Sequence, residues 1–143
     1  PLLSIYADTS FAVSLYLPDR HSSEAGERMA SRPRLWLTPL HTVEWIHAIE
    51  RHVSRRHISR REAQHIYAEF ESDRKLGVWV ETGLPESAFD ACGELARHQA
   101  ARLGNRTLDT LHVASALELG AERFWTFDER QAKLARATGL KLE

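Results

Sequence analysis

Four carboxylates in this 143-residue chain are spaced so that they could act together on one ligand. Asp8 and Asp128 directly follow the short apolar segments SIYA and FWTF, which have the composition of strands. The carboxyl ends of parallel strands lie along one edge of a sheet, and ligands bind at that edge. Glu44 and Asp109 lie on predicted helices. If these helices pack against the same edge, all four acids meet in one pocket.

A pocket of this kind has a restricted chemistry. Each carboxylate raises the pKa of its neighbours, so the cluster is unfavourable unless cations neutralise it. Mg²⁺ and Mn²⁺ are hard ions that prefer oxygen ligands. We therefore expect Asp8, Glu44, Asp109 and Asp128 to bind Mg²⁺ or Mn²⁺ and to be catalytic, with phosphodiester hydrolysis as the reaction.

Helix capping offers a second interpretation of three of these acids. Asp8 and Asp128 each precede a predicted helix, and aspartate is a favoured N-cap residue. Gln131 stands three residues after Asp128, at the partner position of a capping box. Asp109 falls in a first helical turn, where a negative charge complements the dipole. Capping does not exclude metal binding, and Glu44, in the middle of its helix, has no such explanation.

Composition predicts one globular domain over residues 1–143. The net charge is −1 and 43% of the residues are hydrophobic, enough for a core. No apolar run approaches the roughly 20 residues of a membrane span, and no signal peptide opens the chain. The single cysteine, Cys92, cannot form an internal disulfide. We interpret it as a packed thiol in a cytoplasmic protein.

Arginines are concentrated between residues 51 and 61, where no acid interrupts them. This segment could be a solvated helix end, because basic residues complement the dipole there. It could equally contact phosphate or an acidic partner, because arginine matches phosphate geometry. The residues expected to contact RNA or a partner are Arg51, Arg55 and Arg56.

Short strands alternate with helices along the chain. Helices are predicted at 9–17, 21–32, 40–53, 59–76, 86–103, 107–120 and 128–138. Strands are predicted at 2–7, 35–38, 78–81, 123–127 and 140–143. No Asn-Gly or Asp-Gly turn joins two strands, so the pattern predicts an α/β fold with a parallel sheet between helices.

The acids and their contexts resemble those of PIN-domain ribonucleases, specifically VapC toxins of type II toxin–antitoxin modules. The matching segments are IYADTS, TPLHTVEW, GNRTLDTLHVASAL and FWTFDERQAKLARATGLKL, and the resemblance covers essentially the whole chain. It implies a PIN-like three-layer α/β/α sandwich with a central parallel sheet of short strands. It also implies an endoribonuclease whose four acids hold one or two Mg²⁺ or Mn²⁺ ions. A VapB-type antitoxin and a homodimer are the implied partners.

Several other residues are expected to support such a site. Thr126 should face the same side of its strand as Asp128 and donate a hydrogen bond to a carboxylate or phosphate. We interpret His112 as a hydrogen-bonded core residue rather than a general base. His98 and Arg106 match the family context. Apolar residues of the first three helices are expected to contact the partners, namely Phe11, Leu15, Tyr16, Trp45 and Ile49.

Other α/β functions fit the sequence less well. A phosphoaspartate phosphatase needs a second aspartate two residues after the first, and position 10 is serine. A nucleotide-binding protein needs a glycine-rich loop after the first strand, and ADTSF contains no glycine. The principal alternative is a catalytically inactive PIN-like module that binds RNA or protein.

Overall fold

Four parallel strands form one sheet in the computed structural model, which describes residues 3–143. The strands are β1 (Ser4–Ala7), β2 (Arg34–Leu37), β3 (Trp79–Glu81) and β4 (Arg123–Trp125). Their order in the sheet is β3-β2-β1-β4. The first and last strands of the sequence are therefore neighbours, and their carboxyl ends lie side by side.

Helices connect the strands, as parallel pairing requires. They are α1 (Thr9–Tyr16), α2 (Ser22–Met29), α3 (Pro39–Ser54), α4 (Arg60–Lys75), α5 (Ser87–Leu95), α6 (Ala101–Leu103), α7 (Thr107–Glu118) and α8 (Glu129–Ala137). A π-helical turn over Ala96–Ala100 joins α5 to α6. Local signals explain several of the starts. Thr38 caps α3, which has Pro39 at its first turn, and Ser59 forms a capping box with Glu62 at the start of α4.

Each face of the sheet packs into its own apolar core. Side chains alternate along β1, so that Ile5 and Ala7 enter the core shared with α1, α3 and α4. Tyr6 enters the opposite core, which α7 and α8 cover. On β4, Trp125 and Phe124 divide between the same two cores. The predicted three-layer α/β/α fold with a central parallel sheet is confirmed.

The last two predicted strands differ most from the structure. The strand predicted at 123–127 stops at Trp125, because Thr126 leaves the ladder and bonds to side chains of the site. The strand predicted at 140–143 is wrong, since only Lys141 forms an isolated bridge with Arg123. Leu140 there packs into the core beneath α7 and α8 instead of continuing a ladder. Residue 2 of the strand predicted at 2–7 lies outside the described residues.

The predicted apolar partner contacts are largely wrong. Four of the five residues have exposures of 7% or less and belong to the core of the α1 side, namely Phe11, Tyr16, Trp45 and Ile49. Leu15 is partly buried against the same core. Helix α3 exposes Val43 and Ile46 instead. None of the helices between residues 3 and 143 combines the length and apolar composition that a membrane crossing requires.

Candidate active site

Asp8 and Asp128 come together because β1 and β4 are neighbours. The Asp8 N–H donates to the carbonyl oxygen of Trp125 at 2.9 Å, which continues the β1–β4 pairing beyond the strands. Thr126 Oγ1 donates to Asp8 Oδ2 at 2.6 Å and accepts the Asp128 N–H at 2.9 Å. Thr126 thus donates to a carboxylate, as predicted, and it joins the two acidic segments.

Asp8 is a buried carboxylate with an exposure of 3%. Its Oδ1 accepts hydrogen bonds from Ser10 Oγ at 2.7 Å and from the Phe11 N–H at 3.0 Å, so it also caps α1. Burial raises the pKa of Asp8 above its usual value, although these bonds and the one from Thr126 act in the opposite direction. The fold therefore holds a carboxyl group where its ionised form is disfavoured.

Glu44 is connected to the Asp8 segment by a hydrogen bond from Thr9, the residue that follows Asp8. Glu44 Oε1 accepts a hydrogen bond from Thr9 Oγ1 at 2.7 Å and another from His112 Nε2. Burial alone would raise the pKa of Glu44, but the hydrogen bond and charge of His112, together with the Thr9 bond, lower it below its usual value. Glu44 is consequently held as a carboxylate at the buried end of the site.

Asp109 enters from the first turn of α7 with a side chain that is 19% exposed. Arg106 Nε lies 3.4 Å from its Oδ2. Gln131 Nε2 donates to the Asp109 carbonyl oxygen at 3.2 Å, which ties α7 to α8. Asp128 caps α8 by accepting the N–H groups of Arg130 and Gln131. The Gln131 side chain is thus used between helices and does not complete the predicted capping box.

Three of the four acids share a pattern in which one oxygen is held by two donors and the other has spare capacity. Asp8 Oδ1, Glu44 Oε1 and Asp128 Oδ1 each accept two hydrogen bonds. A carboxylate has about four acceptor positions, so the second oxygen of each can still accept. Asp8 Oδ2 has one donor, Thr126. In donor type, the set suits Mg²⁺ or Mn²⁺.

The predicted gathering of all four acids into one compact cluster needs a correction. Within residues 3–143, no three His, Cys, Asp or Glu side chains form a group that could hold a metal ion as they stand. The reason is that local partners hold the acids in place. Thr126 and Ser10 hold Asp8, His112 holds Glu44, and Arg106 lies against Asp109. The acids fit a metal site in chemistry but are not preassembled around one.

Two cavities that share Arg51 are lined by three of the acids. One, of about 630 Å³, is lined by Glu44 and Asp109 together with Arg51 and Arg106. The other, of about 360 Å³, includes Asp128 and again Arg51. Arg51 therefore borders both cavities, and its contact with RNA stays a prediction.

The remaining predicted basic residues lie elsewhere. Arg56 lines a separate groove with His57 and Arg60, and Arg55 is exposed just after α3. His98 is exposed and lies 3.8 Å from Glu94 on its own helical segment. The structure thus groups Arg51 and Arg106 with the acids and leaves Arg55, Arg56 and His98 outside both cavities.

Sequence reasoning missed the buried polar residues behind Glu44. Tyr6 Oη lies 2.7 Å from His112 Nδ1, and His41 packs against the Tyr6 ring with a centroid distance of 4.7 Å. Burial lowers the pKa of His41 to about 3, so this histidine is neutral at physiological pH. Only the position of Tyr6, two residues before Asp8 on the same strand face, could have indicated its part in the site.

The sequence profile of the PIN domain matches residues 5–137. The chain belongs to the PIN-domain family. The profile spans the whole α/β/α unit, from β1 through α8, and includes all four acids. No curated protein compared with the chain matches it.

Solved structures share the PIN fold at low sequence identity. The VapC20 toxin of Mycobacterium tuberculosis, described as cleaving the sarcin-ricin loop, is 19% identical with a TM-score of 0.68 over 96% of each chain. A chain of DNA-bound VapBC from Salmonella typhimurium is 19% identical with a TM-score of 0.66, over 99% of this chain and 98% of the other. A chain of the FitAcB structure from Neisseria gonorrhoeae is 13% identical with a TM-score of 0.71, over 96% of this chain and 95% of the other. At these identities the likeness establishes the fold.

The raised pKa of Asp8 predicts how its removal changes stability. The folded chain binds the Asp8 proton more tightly than the unfolded chain, in which the pKa is near 3.8. The free energy of unfolding contributed by Asp8 therefore falls as pH rises above this value. In EDTA at pH 7, Asp8→Asn should increase the free energy of unfolding by on the order of 1 kcal/mol, since asparagine is an equally good N-cap.

Urea unfolding of both proteins between pH 4 and pH 7 measures this difference. The gap should narrow as the pH falls toward 4, because protonation of the wild-type carboxyl in the folded chain removes the cost of ionising it there, whereas asparagine does not titrate. The exposed Asp90 provides the control, and Asp90→Asn should change stability by less than about 0.5 kcal/mol at either pH. A loss of stability in Asp8→Asn that is equal at both pH values would contradict the prediction.

Proposed function

We propose that this PIN-domain chain is a metal-dependent endoribonuclease that hydrolyses phosphodiester bonds of RNA. The observation that carries the proposal is the pairing of Asp8 and Asp128 at the carboxyl ends of neighbouring strands, with Thr126 joining them. Glu44 and Asp109 line one cavity, and Thr9, the residue after Asp8, donates a hydrogen bond to Glu44. Membership of the PIN-domain family and the fold shared with a toxin described as cleaving the sarcin-ricin loop support this reaction class.

The four acids, Asp8, Glu44, Asp109 and Asp128, are proposed to hold Mg²⁺ or Mn²⁺ through their spare oxygens. When bound, the ion supplies Lewis-acid polarisation of the phosphate and activation of water. A cation would also offset the cost of ionising the buried Asp8, whose pKa burial raises. The chain's own contribution is to fix the acids, because Thr126, Ser10 and His112 each hold one of them by a hydrogen bond.

Arg51 is proposed to bind the RNA phosphate beside the acids. It lines both cavities of the site, and among residues 3–143 it enters none of the ion pairs. A guanidinium group matches the oxygen geometry of a phosphate and can donate two hydrogen bonds to it. Arg106, in contrast, lies 3.4 Å from Asp109 and partly offsets the charge of that acid.

The biological setting proposed for this activity is a type II toxin–antitoxin module with a VapB-type antitoxin. The shared fold with chains from VapBC and FitAcB structures supports such a partner. Homodimer formation and cytoplasmic action on cellular RNA belong to the same proposal. The apolar side chains available for partner contacts near the site are Val43, Ile46 and Leu108, with exposures of 56%, 39% and 46%.

A catalytically inactive PIN-like module that binds RNA or protein is the second candidate function. The observation that favours it is that Asp8 and Asp128 each cap a helix, a structural role that needs no metal ion. Such a module would bind RNA through Arg51 without cleaving it. The two functions therefore differ in turnover and in their dependence on metal.

Cleavage of RNA oligonucleotides by the purified protein distinguishes these functions. Cleavage should require Mg²⁺ or Mn²⁺, stop in EDTA, and fall by at least a hundredfold in Asp8→Asn or Asp128→Asn, because catalytic electrostatics contributes on this scale. Asp90→Asn, a change of the same type at an exposed site, should retain full activity. Binding without cleavage under every metal condition would select the inactive module. Cleavage that survives both substitutions would place the active site elsewhere.

The role of Arg51 is testable by salt-dependent binding of single-stranded RNA in EDTA. Arg51→Ala should weaken binding and reduce the slope of log affinity against log salt by about 0.7, the value for one lost single-strand phosphate contact. Arg61→Ala removes an exposed arginine at the start of α4 and should leave the slope unchanged. Equal slopes for the wild type and Arg51→Ala would exclude a direct phosphate contact by this residue.

A further inference from the structure

The two carboxylate oxygens of Glu44 have different surroundings. Oε1 accepts hydrogen bonds from Thr9 Oγ1 and His112 Nε2, so both of its acceptor positions are filled. Oε2 receives no hydrogen bond from any side chain or N–H between residues 3 and 143. Glu44 also lines the larger cavity of the site with Asp109. Oε2 is therefore the Glu44 atom with capacity for a ligand.

His112 can hold Oε1 in only one way. An ionised carboxylate accepts hydrogen bonds and cannot donate them, so the hydrogen between the two groups belongs to Nε2 of His112. On the other side of the ring, Nδ1 lies 2.7 Å from the hydroxyl of Tyr6, which is fully buried. With one ring nitrogen directed at Glu44 and the other at Tyr6, the imidazole has a fixed orientation.

The residues behind Tyr6 are fixed in the same manner. The Thr38 N–H donates to His41 Nδ1 at 3.0 Å, so His41 carries its hydrogen on Nε2 and donates it to the Ala7 carbonyl oxygen at 2.8 Å. The His41 ring packs against both Tyr6 and His112, at centroid distances of 4.7 and 4.9 Å. Buried networks whose members are all satisfied are rigid. This one connects the end of β1 to the carboxylate of α3.

We propose that Tyr6, Thr9 and His112 are positioning residues that occupy Glu44 Oε1 and thereby reserve Oε2 for a divalent cation. The inference deepens the proposed function and rests on it, since it concerns the same site. A purely structural network would need no carboxylate with one saturated and one free oxygen at a cavity wall. Residues that orient a metal ligand from behind change metal affinity by 10–100-fold when they are removed.

Titration of the full chain with Mn²⁺, followed by the electron paramagnetic resonance signal of the free ion, tests the proposal. Thr9→Val and His112→Leu should each weaken Mn²⁺ binding by about tenfold or more. Tyr6→Phe should weaken it less, because His112 still reaches Glu44. His112→Gln should restore much of the affinity, since glutamine supplies an N–H donor. Tyr67→Phe removes another tyrosine hydroxyl, one that donates to Glu50 at 2.7 Å outside the site, and should bind Mn²⁺ as the wild type does.

Imidazole NMR gives a readout independent of metal and activity. Long-range ¹H–¹⁵N correlations of the metal-free protein should show a hydrogen on Nε2 of His112. A neutral imidazole with its hydrogen on Nδ1 and none on Nε2, or Mn²⁺ affinities unchanged in both Thr9→Val and His112→Leu, would overturn the proposal. Should His112→Leu not fold, Thr9→Val decides, because it replaces a partly exposed residue with one of the same shape.

The two proposals fail in different ways. Mn²⁺ affinities that follow the expected order without RNA cleavage would refute the nuclease and support the positioning role. Metal-dependent cleavage together with an Mn²⁺ affinity that is unchanged in the variants would support the nuclease and refute the positioning role. A wild-type chain that binds no Mn²⁺ would refute the positioning role directly.

Discussion

Burial of the Asp8 carboxylate between neighbouring strands is the constraint on which the rest of the site depends. The pairing of β1 with β4 brings the first and last acids of the chain together and buries one of them. Because ionisation is disfavoured there, the fold surrounds Asp8 with donors from Ser10, Phe11 and Thr126. One of these donors, the hydroxyl of Thr126, also accepts a hydrogen bond from the Asp128 N–H and so fixes the position of Asp128. Capping of α1 and assembly of the site are thus one set of hydrogen bonds.

The negative charges of the four acids are not all offset by the side chains around them, and this is why we propose that a cation binds there. Glu44 is stabilised as an anion by His112 and Thr9, whereas Asp8 has neutral donors only. A divalent cation would complete the electrostatics of Asp8 and use the spare oxygens of its neighbours. The cost of keeping a buried acid is the kind of stability loss that functional sites carry. In the proposed function, the guanidinium group of Arg51, which lines both cavities, would contact the substrate phosphate.

Local sequence signals recover the fold well and the site in part. The Thr38–Pro39 start of α3 and the Ser59–Glu62 box of α4 are short-range patterns, and both helices begin within one residue of their predicted starts at 40 and 59. The end of β4 and the lost strand at 140–143 depend on contacts with distant segments, which no local pattern encodes. Residues 140–143 have strand composition, but Leu140 is drawn into the core under α7 and α8.

The acids themselves are visible in the sequence because each follows a strand or interrupts an apolar helix face. Of their hydrogen-bond partners, Thr126 was predicted, but the contact of Tyr6 with His112 was not, since these residues lie 106 positions apart and meet only in the folded chain. The prediction of the apolar partner surface was wrong for a related reason. An apolar side chain on a helix can face the core or a partner, and Trp45 is buried among aromatic rings of the core.

Anomalous diffraction from crystals soaked in Mn²⁺ tests the central claim most directly. The account predicts one ordered Mn²⁺ ion coordinated by Asp8 and Asp128, with Oε2 rather than Oε1 of Glu44 turned toward it. An ion bound only at other residues would contradict the account. So would crystals soaked at a high Mn²⁺ concentration that show no ion and leave the hydrogen bonds of Asp8 and Asp128 unchanged.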